Sequence, residues 1–322
     1  MLVTHGTVVP GDGRSGDASG IGLTIGNFDG VHRGHRAMLA RLVEKARELK
    51  LPCSVLTFEP HPREFFEAAN AQARSNPAPT RLTRLREKLE LISEAGVDRV
   101  HVLRFDARLA ALTPERFVED VLLRGLGVRW LLVGRDFRFG AKRAGDFAAL
   151  QEAATRRGFG LEAMDDVMEG GQRVSSSAVR AALAQGDLAA AARLLGRDYS
   201  MSGRVAHGEK LGRTLGFPTA NMVLRRRPPL AGIFAVEAEL EETHAVLRGV
   251  ASVGRRPTVK EYAPPLLEVH LFDWNGDLYG RHLRVKFLHK LRDEEKYDGL
   301  EALRSAIAGD VKRARDYFRN HG

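Results

Sequence analysis

Two histidines three residues apart, His32 and His35, are the residues whose type and spacing most directly suggest chemistry. They lie in a glycine-rich stretch that reads Gly26-Asn27-Phe28-Asp29-Gly30-Val31-His32-Arg33-Gly34-His35. This stretch follows an apolar run and precedes a segment with helical spacing, so it predicts a strand, a turn and a helix. Glycines and a helix N-terminus together favour an anionic ligand. Two imidazoles on one helix face could stabilise charge on phosphate oxygens during transfer.

Two other interpretations of the histidine pair stand beside this one. A spacing of three residues also suits two zinc ligands, but no nearby cysteine or carboxylate cluster completes a coordination shell. A glycine-rich turn between strand and helix can also be purely structural. The P-loop pattern, Gly-x4-Gly-Lys-Ser/Thr, does not occur in this stretch.

The composition indicates which broad class of protein this is. A chain of 322 residues with 43% hydrophobic and 28% charged residues is typical of one large or two ordinary globular domains. No apolar run approaches the roughly 18 residues that span a bilayer, and no secretory leader opens the chain. The single cysteine, Cys53, lies in an apolar run and is interpreted as a buried strand residue. These features favour a reducing, cytoplasmic location.

The net charge of +9 suits polyanionic partners, which include nucleotides and nucleic acids. Many arginines lie near acidic residues on predicted helices, however, and no basic stripe alternates with aromatic side chains. We therefore expect small-molecule substrates, no nucleic acid and no membrane. The sequence leaves a weak homo-oligomer open.

The first half of the chain alternates short apolar runs with helical patterns. Strands are predicted at 21–25, 53–58, 99–103 and 129–133, and helices at 35–50, 83–95, 114–125 and 145–157. This alternation is typical of a Rossmann-like α/β fold, in which a parallel sheet is covered by helices on both faces. Ligands bind such sheets at the carboxyl ends of the strands.

The second half changes character at Tyr199. Alternating runs at 199–205, 234–240, 246–253, 266–272 and 282–288 predict a small antiparallel β-barrel or sandwich, of which we favour the barrel. An amphipathic pattern over 299–318 predicts a C-terminal helix packed on it. We predict a first domain over residues 1–185 and a second over 186–322.

Two further segments of the first half carry anion-binding groups. Asp136 lies in a loop with glycines at both ends and could orient a ligand or a metal, or pair with an arginine of the same loop. The triplet that contains Ser176 and Ser177 opens a helix, with Arg173 before it and Arg180 after it. Hydroxyl and guanidinium donors at a helix start suit a triphosphate. Serines before a helix are also ordinary N-caps.

The second half holds its own candidate phosphate site. Its glycines permit close backbone approach, its cations attract phosphates, and its proline stiffens the segment. These residues are Gly208, Lys210, Gly212, Arg213, Gly216 and Pro218. Thr219 and Asn221 share one face of an extended segment and could present oxygens to a hard cation such as Mg²⁺. A hairpin connection with surface charges is the alternative.

At this point the sequence resembles a family. The histidine stretch is similar to the nucleotidyltransferase signature that also marks class I aminoacyl-tRNA synthetases. With its flanks it resembles the N-terminal half of bacterial bifunctional riboflavin kinase/FMN adenylyltransferases, also called FAD synthetases. The run from Gly208 to Asn221 resembles riboflavin kinases, as do 249–258, 267–273, 277–280 and 291–294. The resemblance covers about residues 20 to 320.

The resemblance implies two reactions on one chain. In the N-terminal domain, FMN and ATP would give FAD, with His32, His35 and Arg173 as catalytic residues. The ATP-binding positions carried over from the motifs are Gly26, Phe28, Asp29, Gly34, Asp136, Ser176, Ser177 and Arg180. The family usually has threonine at the position of Ser177, and serine keeps the hydroxyl group. Arg135 stands where an acidic residue is commoner in the family.

In the C-terminal domain, the resemblance implies that ATP phosphorylates riboflavin to FMN. Glu268 occupies the position of the family's catalytic glutamate and would accept the proton of the attacking hydroxyl. Thr219 and Asn221 would hold Mg²⁺, and the segment from Gly208 to Pro218 would bind the phosphates of ATP.

Two rival functions follow from the same residues. A riboflavin kinase with a degenerate transferase domain would accumulate FMN without FAD, although the intact histidine pair and serine triplet argue against it. A basic nucleic-acid-binding or tRNA-related protein would bind RNA with a steep dependence on salt.

Overall fold

The computed structural model describes residues 1–6, 20–69, 77–208, 211–254 and 265–321. The chain divides into two compact units. The first comprises Met1–Pro79 and Arg84–Val174, and the second comprises Thr80–Thr83 and Ser175–Gly322. Each unit has its own sheet.

The first unit is built on a six-stranded parallel sheet. Its strands are β1 (Leu2–Gly6), β2 (Ile21–Ile25), β3 (Cys53–Glu59), β4 (Arg99–Arg104), β5 (Val128–Gly134) and β6 (Gly160–Met164). They lie in the order β1-β4-β3-β2-β5-β6, and every pairing is parallel. The chain winds in opposite directions from β2, so the end of β2 is a topological switch point, where ligands bind α/β sheets.

Helices cover both faces of this sheet. They are α1 (Arg33–Glu48), α2 (Pro62–Ala69), α3 (Leu85–Glu94), α4 (Ala107–Ala110), α5 (Pro114–Arg116), a π-helical turn (Phe117–Leu123), a 3₁₀ turn (Ala141–Arg143) and α6 (Phe147–Arg157). A two-stranded ribbon, β7 (Met168–Glu169) and β8 (Gln172–Arg173), follows β6.

Two separate apolar clusters fill the space between the helices and the sheet. One contains Leu42 and Ile92, from α1 and α3, and the other contains Leu122 and Leu150, from the π-helical turn and α6. All four side chains are fully buried. This confirms the predicted α/β architecture with helices on both faces.

The second unit is a nearly closed antiparallel barrel with flanking helices. Its elements are α7 (Ser176–Gln185), α8 (Leu188–Leu195), β9 (Ser200–Arg204), α9 (Leu211–Thr214), β10 (Ala220–Val223), β11 (Gly232–Leu240), β12 (Val246–Gly254), β13 (Leu266–Leu271), β14 (His282–Arg292) and α10 (Leu300–His321). The strand order is β10-β13-β12-β11-β14-β9. An antiparallel bridge between Ala206 and Asn221 joins the two ends of this order. The predicted barrel is thus confirmed.

The C-terminal helix α10 packs on the barrel through Ala314 and Phe318, which are buried against residues that include Phe272. The helix is further anchored by Asp310, which is 3% exposed and accepts two hydrogen bonds from Arg292, at 2.9 and 2.7 Å. Over the described ranges, no helix combines the length and apolar character needed to cross a membrane.

The structure differs from the predicted elements at several strands and short helices and at one junction. The elements that were not predicted include β1 and β6, at the edges of the parallel sheet, the four-residue β10, the ribbon strands β7 and β8, and the helices α2, α4 and α9. The compact units divide at Val174 and Ser175, because the two short helices after this point belong to the second unit. The domain boundary between 185 and 186 stays a prediction.

Candidate active sites

The histidine pair lies at the start of α1, at the carboxyl end of β2. His32 is the N-cap of the helix rather than a helical residue, since its φ and ψ are −70° and 173°. Its Nδ1 accepts a hydrogen bond from the backbone N–H of His35 at 3.3 Å. The two rings are stacked, with centroids 3.7 Å apart and an angle of 15° between the planes. The neutral form of His32 therefore carries its proton on Nε2, which is free of this capping bond.

Gly34 makes this arrangement possible. A Cβ at Gly34 would lie 3.2 Å from Nδ1 and 3.3 Å from Cε1 of His32. Any larger residue would therefore press on the ring that caps the helix. The turn before it is strained, because Phe28 and Val31 have φ values of 47° and 38°. Such strain is stored at functional sites more often than elsewhere.

His35 lies in surroundings that disfavour its charged form. Burial lowers its pKa well below the ordinary value of 6.5, and the neighbouring His32 and Lys88 lower it further. In the part of the chain that the structure describes, its Nδ1 is buried without a hydrogen-bond partner. A neutral imidazole can still donate a hydrogen bond to a phosphate oxygen.

Lys88 is a residue of this site that the sequence reasoning missed. Its side chain, on α3, is 0% exposed, and its Nζ lies 3.5 Å from Oγ1 of the equally buried Thr57. Lysine is almost never fully buried without a specific role or partner. A signal was present in the sequence, because Leu85, Lys88 and Ile92 share one face of the helix at helical spacing.

Arg173 and Asp136 contact each other directly. The Arg173 guanidinium donates to Asp136 at 2.6 Å, and Asp166 lies 2.9 Å from the same nitrogen. The hydrogen bond to Asp136 is the main reason that the pKa of Arg173 is raised. Arg135, beside them, pairs with Asp165. The structure thus brings Arg173 and Asp136 together as an ion pair.

The serine triplet opens α7 in the second unit. Ser175 is the N-cap and accepts a hydrogen bond from the backbone N–H of Ala178 at 3.2 Å, so it fills the ordinary capping role. Ser176 is partly buried and Ser177 is exposed. The Nε of Arg180 donates to the backbone oxygen of Thr80 at 2.6 Å.

Three polar residues lie side by side on neighbouring strands of the barrel. Glu268 on β13 is directly opposite Asn221 on β10 and Ser252 on β12. Asn221 is 6% exposed, and its Nδ2 donates to the backbone oxygen of Thr219 at 3.2 Å. Within the described residues, its Oδ1 is buried without a hydrogen-bond partner. A buried amide oxygen in this condition calls for an explanation.

The glycines before β10 are required by close contacts. A Cβ at Gly212 would lie 2.4 Å from the backbone oxygen of Phe217 and 3.2 Å from Oγ1 of Thr219. A Cβ at Gly208 would lie 2.6 Å from Nδ2 of Asn221. The backbone at Gly212 and Gly208 therefore lies in close contact with Thr219 and Asn221 respectively.

The other residues predicted for this loop differ in what the structure shows. Arg213 and Gly216 are exposed, and Gly216 has a φ of 88°. The backbone oxygen of Pro218 accepts a hydrogen bond from Nδ1 of His270 at 2.9 Å. Lys210 lies outside the described residues.

These residues fit a hard divalent cation. Mg²⁺ takes oxygen ligands and is usually bound through one or two protein groups together with substrate phosphates. The Oδ1 of Asn221, beside Thr219 and opposite Glu268, is an oxygen of this kind and has no hydrogen-bond partner among the described residues. Among the described residues, no group of three or more His, Cys, Asp or Glu is arranged to hold a metal ion. A cation here would therefore depend on neutral oxygens and on the phosphates of its ligand.

Glu294 is a second residue that the sequence reasoning did not assign. Its Oε1 accepts a hydrogen bond from Oγ of Ser252 at 3.3 Å, and its carboxyl group covers Gly254 so closely that a Cβ there would overlap it. Burial raises the pKa of Glu294, and the charge of Glu268 raises it further. The kinase-like motif at 291–294 was the signal that could have identified it.

Comparisons with known proteins match both units. The FAD synthetase family model covers residues 15–178, and the riboflavin kinase model covers residues 195–318. The chain is 51% identical over 297 residues to the bifunctional riboflavin kinase/FMN adenylyltransferase of Escherichia coli K12, with 92% of each protein covered. The Pseudomonas fluorescens protein of the same name is 50% identical over 293 residues, with 91% of each covered.

A relative from Haemophilus influenzae, which carries the same name, is 46% identical over 300 residues, covering 93% of this chain and 94% of that protein. A solved structure described as a macrolide-efflux protein from Streptococcus pneumoniae aligns with a TM-score of 0.78 and 26% identity, covering 98% of this chain and 99% of the other. The two family models agree with these relatives, which align with nearly the full length of the chain. The chain belongs to the family of bifunctional riboflavin kinase/FMN adenylyltransferases, with an FAD synthetase domain followed by a riboflavin kinase domain.

Proposed function

We propose that the two domains act in succession, each through its own site, to convert riboflavin into FMN and FMN into FAD. The observation that carries this proposal is that each compact unit has separate polar groups suited to phosphate chemistry. These are the stacked histidines in the first unit and the row of Asn221, Glu268 and Ser252 in the second.

In the kinase domain, the ribityl 5′-hydroxyl of riboflavin attacks the γ-phosphorus of ATP. Glu268 accepts the proton of this hydroxyl as the new O–P bond forms and ADP leaves. Thr219 and Asn221 would hold the Mg²⁺ that accompanies ATP, and such a cation would supply positive charge beside the phosphates. The loop from Gly208 to Pro218 binds those phosphates.

In the transferase domain, an oxygen of the FMN phosphate attacks the α-phosphorus of a second ATP, and pyrophosphate leaves. The Nε2–H of His32 donates to the oxygens on which charge develops, and His35 supports the ring by stacking and by its backbone N–H. Arg173 exchanges its contact with Asp136 for the triphosphate. No covalent intermediate is needed, so catalysis depends on positioning and electrostatics.

The remaining ATP-binding positions stay predictions from the family's motifs. Gly26, Phe28, Asp29 and Gly34 belong to the turn of the first unit, and Ser176, Ser177 and Arg180 are hydroxyl and guanidinium donors of α7. Because both reactions consume ATP, we propose a cytoplasmic location and small-molecule substrates only.

One incubation tests the division of labour. The enzyme is supplied with riboflavin, ATP and Mg²⁺, and the flavins are separated over time. Glu268→Gln should stop FMN formation while supplied FMN is still converted to FAD. His32→Ala combined with His35→Ala should do the reverse and accumulate FMN.

Each variant is expected to keep one of the two activities, and this retained activity shows that the variant is folded. If either variant lost both activities while remaining folded, the proposed assignment of one reaction to each domain would be wrong. FMN accumulation by the unmodified enzyme would instead favour a kinase with an inactive transferase domain.

A further inference from the structure

Lys88 lies beneath the glycine-rich turn in the first unit. Its Nζ is 3.5 Å from Oγ1 of Thr57, and that hydroxyl donates to the backbone oxygen of Asn27 at 3.3 Å. Lys88 and Thr57 are both 0% exposed. The lysine is therefore connected to the turn that carries the anion site through one buried hydroxyl.

The burial of Lys88 is unusual for a purely structural residue. A leucine or methionine at this position would complete the apolar face that Leu85 and Ile92 begin, without removing a charge from water. The buried carboxylate of Asp29, which is 2% exposed, lies in the same turn. The domain thus keeps a lysine beneath the turn and a carboxyl group within it, both shielded from water. Burying such groups costs free energy unless they act on a ligand or on each other.

Lys88 also acts on the histidine pair. Burial is the main reason that the pKa of His35 is lowered, and the neighbouring His32, from the same end of α1, and Lys88, from α3, lower it further. Two imidazoles with centroids 3.7 Å apart stack most favourably when they are not both charged. A nearby cation therefore adds to the effect of burial, which favours the neutral form of His35.

We propose that Lys88 is a positioning residue of the FMN adenylyltransferase site, whose buried ammonium group, joined through Thr57 to the glycine-rich turn, adds a fixed positive charge beneath the turn that receives the triphosphate. This inference rests on the proposed function of the domain. The effect is electrostatic, because the group acts through the turn and the histidines and does not touch the reacting atoms. A charge held in a low-dielectric interior is worth more there than in water.

The test compares Lys88→Met with Lys88→Arg. Methionine matches the lysine stem in size but removes the charge, and arginine keeps the charge. We expect Lys88→Met to lower kcat/KM for FAD formation from FMN by about 10- to 100-fold, the range seen when one electrostatic donor is removed. Lys88→Arg should recover part of that loss. Lys50→Met, which changes an exposed lysine of the same domain, is the matched control and should be unaffected.

A second readout separates charge from packing. The protein is labelled with ¹⁵N-histidine, and the His35 signals are assigned by their loss in His35→Asn. In Lys88→Met, His35 should take up its proton at a higher pH than in the unmodified enzyme, whereas Lys88→Arg should leave the titration near that of the unmodified enzyme. Thermal unfolding and the riboflavin kinase activity report whether each variant is folded.

The outcomes distinguish this inference from the proposed function. If the unmodified enzyme makes no FAD from FMN, the proposed function of the domain fails. If it makes FAD and folded Lys88→Met matches it in both kcat/KM and His35 titration, the inference about Lys88 is wrong. Equal losses in Lys88→Met and Lys88→Arg, with an unchanged His35 titration, would also overturn it.

Discussion

Replacing Gly34 by alanine would disturb the histidine pair without removing either histidine. The new Cβ would lie 3.2 and 3.3 Å from two ring atoms of His32, closer than an ordinary contact of 3.4–4 Å. The ring must therefore move by a few tenths of an ångström. The capping bond that it accepts from His35 is already 3.3 Å long, so this movement would break it.

The effects on stability nearly cancel. Loss of the cap costs about 1 kcal/mol, and replacement of glycine by alanine in a helix returns up to about 1 kcal/mol. The free energy of unfolding should thus stay within about 1 kcal/mol of the original. A misplacement of 1 Å can reduce a rate by about 100-fold, so a shift of a few tenths should reduce FAD formation roughly three- to tenfold.

The assay measures kcat for FAD formation from supplied FMN and, in the same preparation, the phosphorylation of riboflavin. The second activity should not change, since it belongs to the other domain. Gly309→Ala is the matched control, because, apart from the backbone of its own helix, a Cβ there meets only Arg313 among the described residues, at 3.6 Å. It should leave both activities intact and raise stability by up to about 1 kcal/mol. Full transferase activity in Gly34→Ala would refute the argument that this glycine positions His32.

Three further predictions concern other parts of the molecule. Asn221→Leu removes a buried amide oxygen that has no hydrogen-bond partner among the described residues, together with one hydrogen bond from Nδ2, so thermal stability should change little. Riboflavin phosphorylation, titrated with Mg²⁺, should fall at least about 100-fold, and a retained kinase rate would show that Asn221 is not a ligand. Asp310→Ala leaves the partly buried guanidinium of Arg292 without its main partner and should lower the free energy of urea unfolding by about 3 kcal/mol. Asp316→Ala, on the exposed face, should change it by less than about 1 kcal/mol, and equal effects would contradict this account. Burial lowers the pKa of His101 to about 4, so the unfolded chain, with an ordinary pKa near 6.5, binds this proton first as the pH falls. The contribution of His101 to the free energy of unfolding is thus complete above pH 6.5 and is lost, by up to about 3 kcal/mol, between pH 6.5 and 4. In unfolding measured at several pH values, His101→Asn should remove most of this decrease.

Local patterns predicted the central elements of the fold well. The apolar run at Ile21–Ile25 has the bounds that the sequence indicated, and the strand predicted at 99–103 differs from β4 by one residue. The missed edge strands are less hydrophobic: β1 has no buried residue, and neither does β6. A strand that pairs on one side only does not need a continuous apolar run, so its pattern resembles a loop.

The same distinction separates the site residues that the sequence identified from those that it missed. His32 and His35 contact each other because they are neighbours along the chain, and glycine spacing revealed them. Lys88 and Glu294 reach their sites only through the tertiary structure, from α3 and from the segment after β14. Charge alone does not distinguish such residues from the many solvated lysines and glutamates of the chain.

Asn221 has two roles in the barrel, and they involve different atoms of one residue. Its side-chain oxygen is the proposed cation ligand, whereas its backbone oxygen accepts the hydrogen bond from Ala206 that joins the first and last strands of the barrel. The seam of the barrel is held by this bridge rather than by a full ladder. Binding of a nucleotide with its metal would therefore stabilise this bridge. Backbone amides on both sides of the bridge should then exchange with deuterium more slowly in the nucleotide-bound enzyme. Substrate binding would therefore stabilise a bridge that already closes the barrel.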